Sequence, residues 1–321
     1  MTKKERVIKA IEFKNPDVIP IWAYNKDQFF GDILSYELFP FHESEVKKSE
    51  WGYTWENLGD GTIGQPKDPV VPSWDTLKDY IFPDPSSIDR FQGIDEFKNK
   101  SDNHFLMAEL GISGFNTYLF LRGFINTMID FQLRDNRALN LLDNIFYIES
   151  QVIKNASKYG FDAIHFADDW GMQKGLMISP QLWIEIFKPR YRKHFKSIHD
   201  LGIKIFFHSC GNITSIIPEF HDIGLDVMNI SQPNVIDIDK VSNLLQGKQC
   251  FMVPISYQTV SITGKPIDII NEGRRLHSKL GTKKGGFIGY IEEYSIMGMS
   301  EENYVSCWNA FKQIKQDEYK N

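Results

Sequence analysis

Cysteine is scarce: Cys210, Cys250 and Cys307 are the three thiols in 321 residues. So few, so widely spaced, they exclude a disulfide framework and fit a reducing compartment. Long apolar runs are missing too. No stretch of about 18 apolar residues exists to span a bilayer, and Met1-Thr2-Lys3-Lys4-Glu5-Arg6 leads into an amphipathic helix instead of the apolar segment of a secretory leader. A cytoplasmic protein without membrane contact is expected. Positive charge is in deficit, with a net charge of -6 and a pI near 5.8. No basic cluster interleaved with aromatics occurs, which argues against a nucleic-acid partner. The remainder, 42% hydrophobic and 14% aromatic, is ordinary globular composition, enough for one large core or two modest ones.

The chain organises around Lys204-Ile205-Phe206-Phe207-His208-Ser209-Cys210-Gly211-Asn212. The apolar run reads as a buried strand, and Gly211-Asn212 breaks it, so His208 and Cys210 stand where the strand gives out into a loop. Residues two apart in an extended chain share a side. The imidazole and the thiol can therefore face one metal ion together, although an isolated His or Cys is more often a packed core residue. Upstream, Phe161-Asp162-Ala163-Ile164-His165-Phe166-Ala167-Asp168-Asp169-Trp170-Gly171 repeats the plan. Two strands delivering polar groups at one end suggest a parallel sheet with a functional rim.

A first helix is expected over Lys3 to Glu12 with Thr2 as its N-cap. Val18 to Ala23 is a candidate first strand, and from there to about Pro85 the chain is aromatic, Gly- and Pro-rich, with little periodicity. His104 to Glu109 reads as a second strand, followed by helical sequence from about Leu119 to Tyr159 with a break near Arg134-Asp135-Asn136. Helices and strands then alternate, with strands at 226–230, 250–255 and 286–290 and a last helix from about Ser300 to Lys315. About seven strands are legible. An eighth, between residues 110 and 125 or beyond Tyr290, would close an α/β (β/α)8 TIM barrel. Residues 1–321 are then one domain, with 24–100 an elaborated aromatic-rich insertion over the C-terminal mouth of the barrel.

Several stretches carry a resemblance: Lys4-Glu5-Arg6-Val7 through Asn15-Pro16-Asp17-Val18-Ile19-Pro20, Trp51-Gly52, Phe82-Pro83-Asp84-Pro85, Asp168-Asp169-Trp170-Gly171, Ile178-Ser179-Pro180, Lys188-Pro189-Arg190-Tyr191, His208-Ser209-Cys210-Gly211-Asn212, Gly224-Leu225-Asp226, Gln232-Pro233 and Gly285-Gly286-Phe287-Ile288. Together they resemble the uroporphyrinogen decarboxylase superfamily, and within it the zinc-dependent, corrinoid-linked methyltransferases. The resemblance implies methyl transfer between a corrinoid, carried by a partner protein, and a thiol at a zinc site. No Asp-x-His-x-x-Gly corrinoid pattern occurs in the chain itself. Asp168 and Asp169, at a neighbouring strand end, are then catalytic candidates that orient a ligand, bind substrate or relay a proton, with helix capping as the plainer reading of one of them.

Two departures shape that expectation. The decarboxylase binds its polycarboxylated tetrapyrrole with an arginine-rich motif after the first strand, and here no arginine lies between Arg6 and Arg90. The methyltransferases add a second cysteine after the Gly-Gly strand, but Gly289-Tyr290-Ile291-Glu292-Glu293-Tyr294 has none. Glu292 or Glu293 falls where that ligand would be, and zinc accepts carboxylate oxygen beside His and Cys. The alternatives are a solvated Glu pair with the metal lost, a non-decarboxylating relative that binds a small metabolite in the aromatic-lined mouth, or a true uroporphyrinogen decarboxylase.

Overall fold

A computed structural model describes residues 1–25, 28–39, 47–56, 65–292 and 295–318. The chain opens on the helix Lys3–Ile11, where the Thr2 hydroxyl accepts the Glu5 N–H and the Glu5 carboxylate accepts the Thr2 N–H, a closed capping box. Its buried face, Val7 and Ile11, belongs to the same apolar cluster as Phe105, Phe206, Val227 and Ile288 of the strands. The helix thus plugs the N-terminal end of a barrel.

The barrel strands are β1 (Ile21–Asn25), β2 (Gln28–Gly31), β3 (Ile33–Glu37), β7 (Phe105–Ile112), β8 (Ala163–Ala167), β11 (Lys204–Ser209), β12 (Val227–Ile230), β13 (Cys250–Pro254) and β14 (Phe287–Glu292). Two short sheets accompany them: β4 (Lys47–Lys48), β5 (Thr54–Glu56) and β6 (Gln65–Pro66); and β9 (Gly171–Met172) with β10 (Gly175–Leu176). The main sheet runs β2-β1-β14-β13-β12-β11-β8-β7-β3. Every neighbouring pair in it is parallel except β1 with β2. Asp32, between β2 and β3, draws the two ends of the sheet together: its N–H donates to the Ile21 carbonyl, its carboxylate accepts the Ile21 N–H, and its carbonyl accepts the Phe105 N–H.

This corrects the expected eighth strand. It is β3, inside the aromatic-rich stretch, and residues 110–122 instead finish β7 and form the helix Gly114–Arg122. The helical region divides into Gly114–Arg122, Phe124–Leu133 and Asn136–Ala156; the expected break falls at left-handed Arg134, and Asp135 caps the third helix through the Arg137 N–H. The first break, at Gly123 with φ +77°, left no periodic signal. No helix among the described residues is long and apolar enough to cross a membrane.

Register sorts the barrel interior into levels. Ile33, Phe105, Met107, Ala163, Phe206, Val227, Cys250, Met252 and Ile288 form an apolar floor. Cys250 is therefore far from the mouth, and burial pushes its thiol well above the usual range. Towards the strand ends the interior turns polar: Glu37 pairs in register with Glu109, Glu109 with His165, His208 with Asn229, and Tyr24 with Glu292. An apolar floor under a polar cup at the C-terminal ends is how this barrel architecture places its chemistry.

Candidate metal centre

The cup is built where β8 and β11 end. Asp168 N–H donates to the His208 carbonyl and Gly171 N–H to the Cys210 carbonyl, so pairing of the two strands continues into their loops. Gly171 and Gly211 make this possible. A Cβ on Gly211 would lie 2.1 Å from the Gly171 carbonyl oxygen, and Gly211 has φ +74°, a region that disfavours side chains. We expect Gly211→Ala to cost about 2–3 kcal/mol, from overpacking and left-handed strain together. Chemical denaturation checks this, and an unchanged midpoint would show that the loops give way.

Asp169, His208 and Cys210 converge there, each with a ligand atom within 4.8 Å of the others. His208 Nε2 lies 3.4 Å from Cys210 Sγ and 3.7 Å from Asp169 Oδ1. The opposite ring nitrogen, Nδ1, is 2.6 Å from Asn229 Oδ1, and the Asn229 amide donates to the Met252 carbonyl at 2.9 Å. That second bond orients the amide, so Nδ1 carries the proton and Nε2 is turned to the thiol and the carboxylate. Burial alone would lower the His208 pKa; Cys210, Asp169 and Asn229 outweigh it and raise it to about 10. The point facing Nε2 thus stabilises positive charge, as a cation site requires. One sulfur, one imidazole and one carboxylate form a donor set that zinc accepts. The Asp169 carboxylate also takes the Cys210 N–H at 2.6 Å, and Gln232 spans from the Gly211 N–H to the Tyr257 hydroxyl at 2.9 Å on each side.

The two adjacent aspartates have different surroundings. Asp169 is partly exposed at the cup, and its backbone N–H is held by the Asn116 side chain. Asp168 is fully buried and turned away, accepting the N–H groups of Phe115 and Asn116 in the first turn of Gly114–Arg122 and the Tyr191 hydroxyl. It caps the helix Gly114–Arg122, the plainer of the roles expected for one of the two aspartates. Beside it Glu149, also buried, accepts the Gly114 N–H at 2.8 Å.

Burial raises both Asp168 and Glu149 to about 8, against the pull of their hydrogen-bond donors. Because the folded values exceed the unfolded ones near 4, this pair's stabilising contribution is complete below about pH 4 and is lost as pH rises towards 8. Glu149→Gln keeps the acceptor and removes one ionisation. The stability difference between pH 5 and pH 8.5 should shrink by at least about 1 kcal/mol. Melting curves at the two pH values test this, and an unaltered difference would rule out the pair as its source.

Glu292 stands outside the three-residue cluster and accepts the Tyr290 hydroxyl at 2.5 Å. Glu293 lies outside the described residues. Asn229 and Asn116 had no sequence signal beyond being polar near strand ends, and Gln232 had only its place in the Gln232-Pro233 stretch of the resemblance.

The profile of the uroporphyrinogen decarboxylase (URO-D) family matches residues 112–288, more than half of the chain. The chain belongs to the URO-D family. That span carries four of the eight parallel strands whole (β8, β11, β12 and β13), the start of β14, and all three members of the metal-type cluster. No curated protein matches this URO-D chain in sequence. Among solved structures, a methyltransferase from Methanosarcina mazei superposes with a TM-score of 0.70 at 12% identity, covering 100% of both chains. At that identity the likeness speaks for the fold. A family 10 endo-β-1,4-xylanase from Gloeophyllum trabeum follows with a TM-score of 0.44 and 8% identity over 72% of this chain and 83% of its own; it carries no argument about function.

Proposed function

We propose that this URO-D family member is a zinc-dependent methyltransferase, moving a methyl group between a corrinoid on a partner protein and a thiol or related acceptor. The observation that carries the reading is the convergence of Asp169, His208 and Cys210 at the barrel mouth, with Asn229 behind the imidazole. These three residues would hold the ion, and a three-ligand set leaves a position open. Bound zinc supplies a lowered thiol pKa, so that a thiolate is present near neutral pH. The protein's own groups fix the rest: Asn229 sets the His208 tautomer, Asp169 holds the Cys210 backbone, and Gln232 ties the Gly211 loop to Tyr257. The single-domain reading is retained, with the part of 24–100 that lies outside β1, β2 and β3 as the cover of the mouth.

The same cup disfavours decarboxylation of a polycarboxylated tetrapyrrole. Glu109, Asp169 and Glu292 would meet the substrate's carboxylates with like charge. Arg90 and Arg122 are buried and engaged by Glu50 and Asp130. We expect turnover with methylcobalamin and a small alkyl thiol, read as thioether by mass spectrometry and abolished by chelation, and no loss of carboxylates from uroporphyrinogen. Decarboxylation at ordinary enzymatic rates, or methyl transfer indifferent to chelation, would overturn the proposal.

A further inference from the structure

Beside the metal-type cluster lies a second site that the proposed chemistry leaves unused. A cavity of about 70 Å³ opens at the end of β7, lined by Glu37, Glu109, Phe39, Trp51, Tyr53 and residues 110–112 at the strand end, among others. About 10–15 Å³ suffices for one water, so there is room for several non-hydrogen atoms. The register of β7 against β8 slips between Glu109 and Gly111, a bulge of the kind that re-aims a side chain next to a functional site.

Two of the buried polar groups, Glu109 and the neighbouring His165, have atoms left without partners. Glu109 Oε1 is buried with no hydrogen-bond partner, and so are both ring nitrogens of His165. His165 is 4% exposed and places Nδ1 3.7 Å from Glu109 Oε2. A buried carboxylate atom without a partner is costly and calls for a positive charge beside it; His165 stands behind the cavity and is not part of its lining. No lysine or arginine lines the cavity among the described residues; the nearby Arg90, 4.8 Å from the Phe39 ring centre, is paired with Glu50. The walls are aromatic, with Trp51 and Tyr53 nearly inaccessible. Carboxylates beside aromatic side chains suit a weakly hydrated organic cation better than a metal ion.

We propose that this cavity binds a small organic cation, the alkylated ammonium end of a ligand, through Glu109 and Glu37 with Phe39, Trp51 and Tyr53 as its walls. His165 stands between the cavity and the metal-type cluster: its ring lies 6.2 Å from that of His208. A ligand anchored by its cation therefore extends towards Cys210. That the ligand is the substrate rests on the methyltransferase reading; the binding does not, because it is measured without turnover.

The test is calorimetric titration of the full chain, as purified, with choline and with its neutral isostere 3,3-dimethylbutan-1-ol. Choline should bind at least tenfold more tightly than the isostere, and Glu109→Gln should weaken choline at least tenfold while leaving the isostere unaffected. Glu37→Gln, at the exposed edge, provides a second charge deletion should the first variant misfold, and choline binding should weaken there as well. Equal affinity for choline and the alcohol, no binding of choline, or choline binding unchanged in a folded Glu109→Gln protein would overturn the proposal. Loss of methyl transfer with choline binding intact would refute the methyltransferase reading alone.

Discussion

Cys210→Ala protein is expected to be purified without its metal and to transfer methyl groups at least tenfold more slowly than the parent. Losing one of three ligands should cost no less than losing a residue that supports a ligand, and such supporting residues are worth roughly 10–100-fold. Asp169→Ala should behave alike, because its carboxylate stands with His208 and Cys210. Glu292→Gln should keep its metal, since that carboxylate is bonded to Tyr290 and is not one of the three cluster residues. Zinc stoichiometry across the three variants separates the alternatives. Metal retained by Asp169→Ala but lost by Glu292→Gln would move the third ligand to the end of β14, as the sequence suggested.

The second large effect concerns a residue that touches no substrate. Asn229 is fully buried and accepts from His208 Nδ1 while donating to the Met252 carbonyl. Without that acceptor the imidazole is free to turn or to place its proton on Nε2, where the metal is needed. Asn229→Ala should therefore weaken zinc about 10–100-fold, whereas Asn229→Asp, which preserves an acceptor for Nδ1, should recover much of the loss. Competition with a chromophoric chelator measures both. Equal weakening in the two variants would mean that Asn229 acts through packing and not through the histidine.

These variants also mark where sequence reasoning stopped. His208 and Cys210 were legible because residues two apart at a strand end share a side. Asp169 could not be told from Asp168 in the sequence. Adjacent residues point apart, and only the pairing of the β8 loop with the β11 loop shows that Asp169 meets Cys210 while Asp168 meets the helix at Phe115. The parallel alternation after residue 160 was readable because strand and helix periods follow one another there. β3 was not: Ile33-Leu34-Ser35-Tyr36-Glu37 follows a hairpin instead of a helix and sits in aromatic-rich sequence with little periodicity. Glu109 and His165 were visible as strand residues. Their lack of partners, which makes them a candidate site, exists only in the packed barrel.

If Cys210, His208 and Asp169 hold zinc at the barrel mouth, X-ray absorption at the zinc edge of protein purified without added metal will show their donor set. One sulfur is expected at about 2.3 Å with nitrogen and oxygen ligands at about 2.0–2.2 Å, and the sulfur contribution should be lost in any zinc remaining on Cys210→Ala. Zinc absent from the parent protein, or a shell of nitrogen and oxygen with no sulfur, would contradict that donor set.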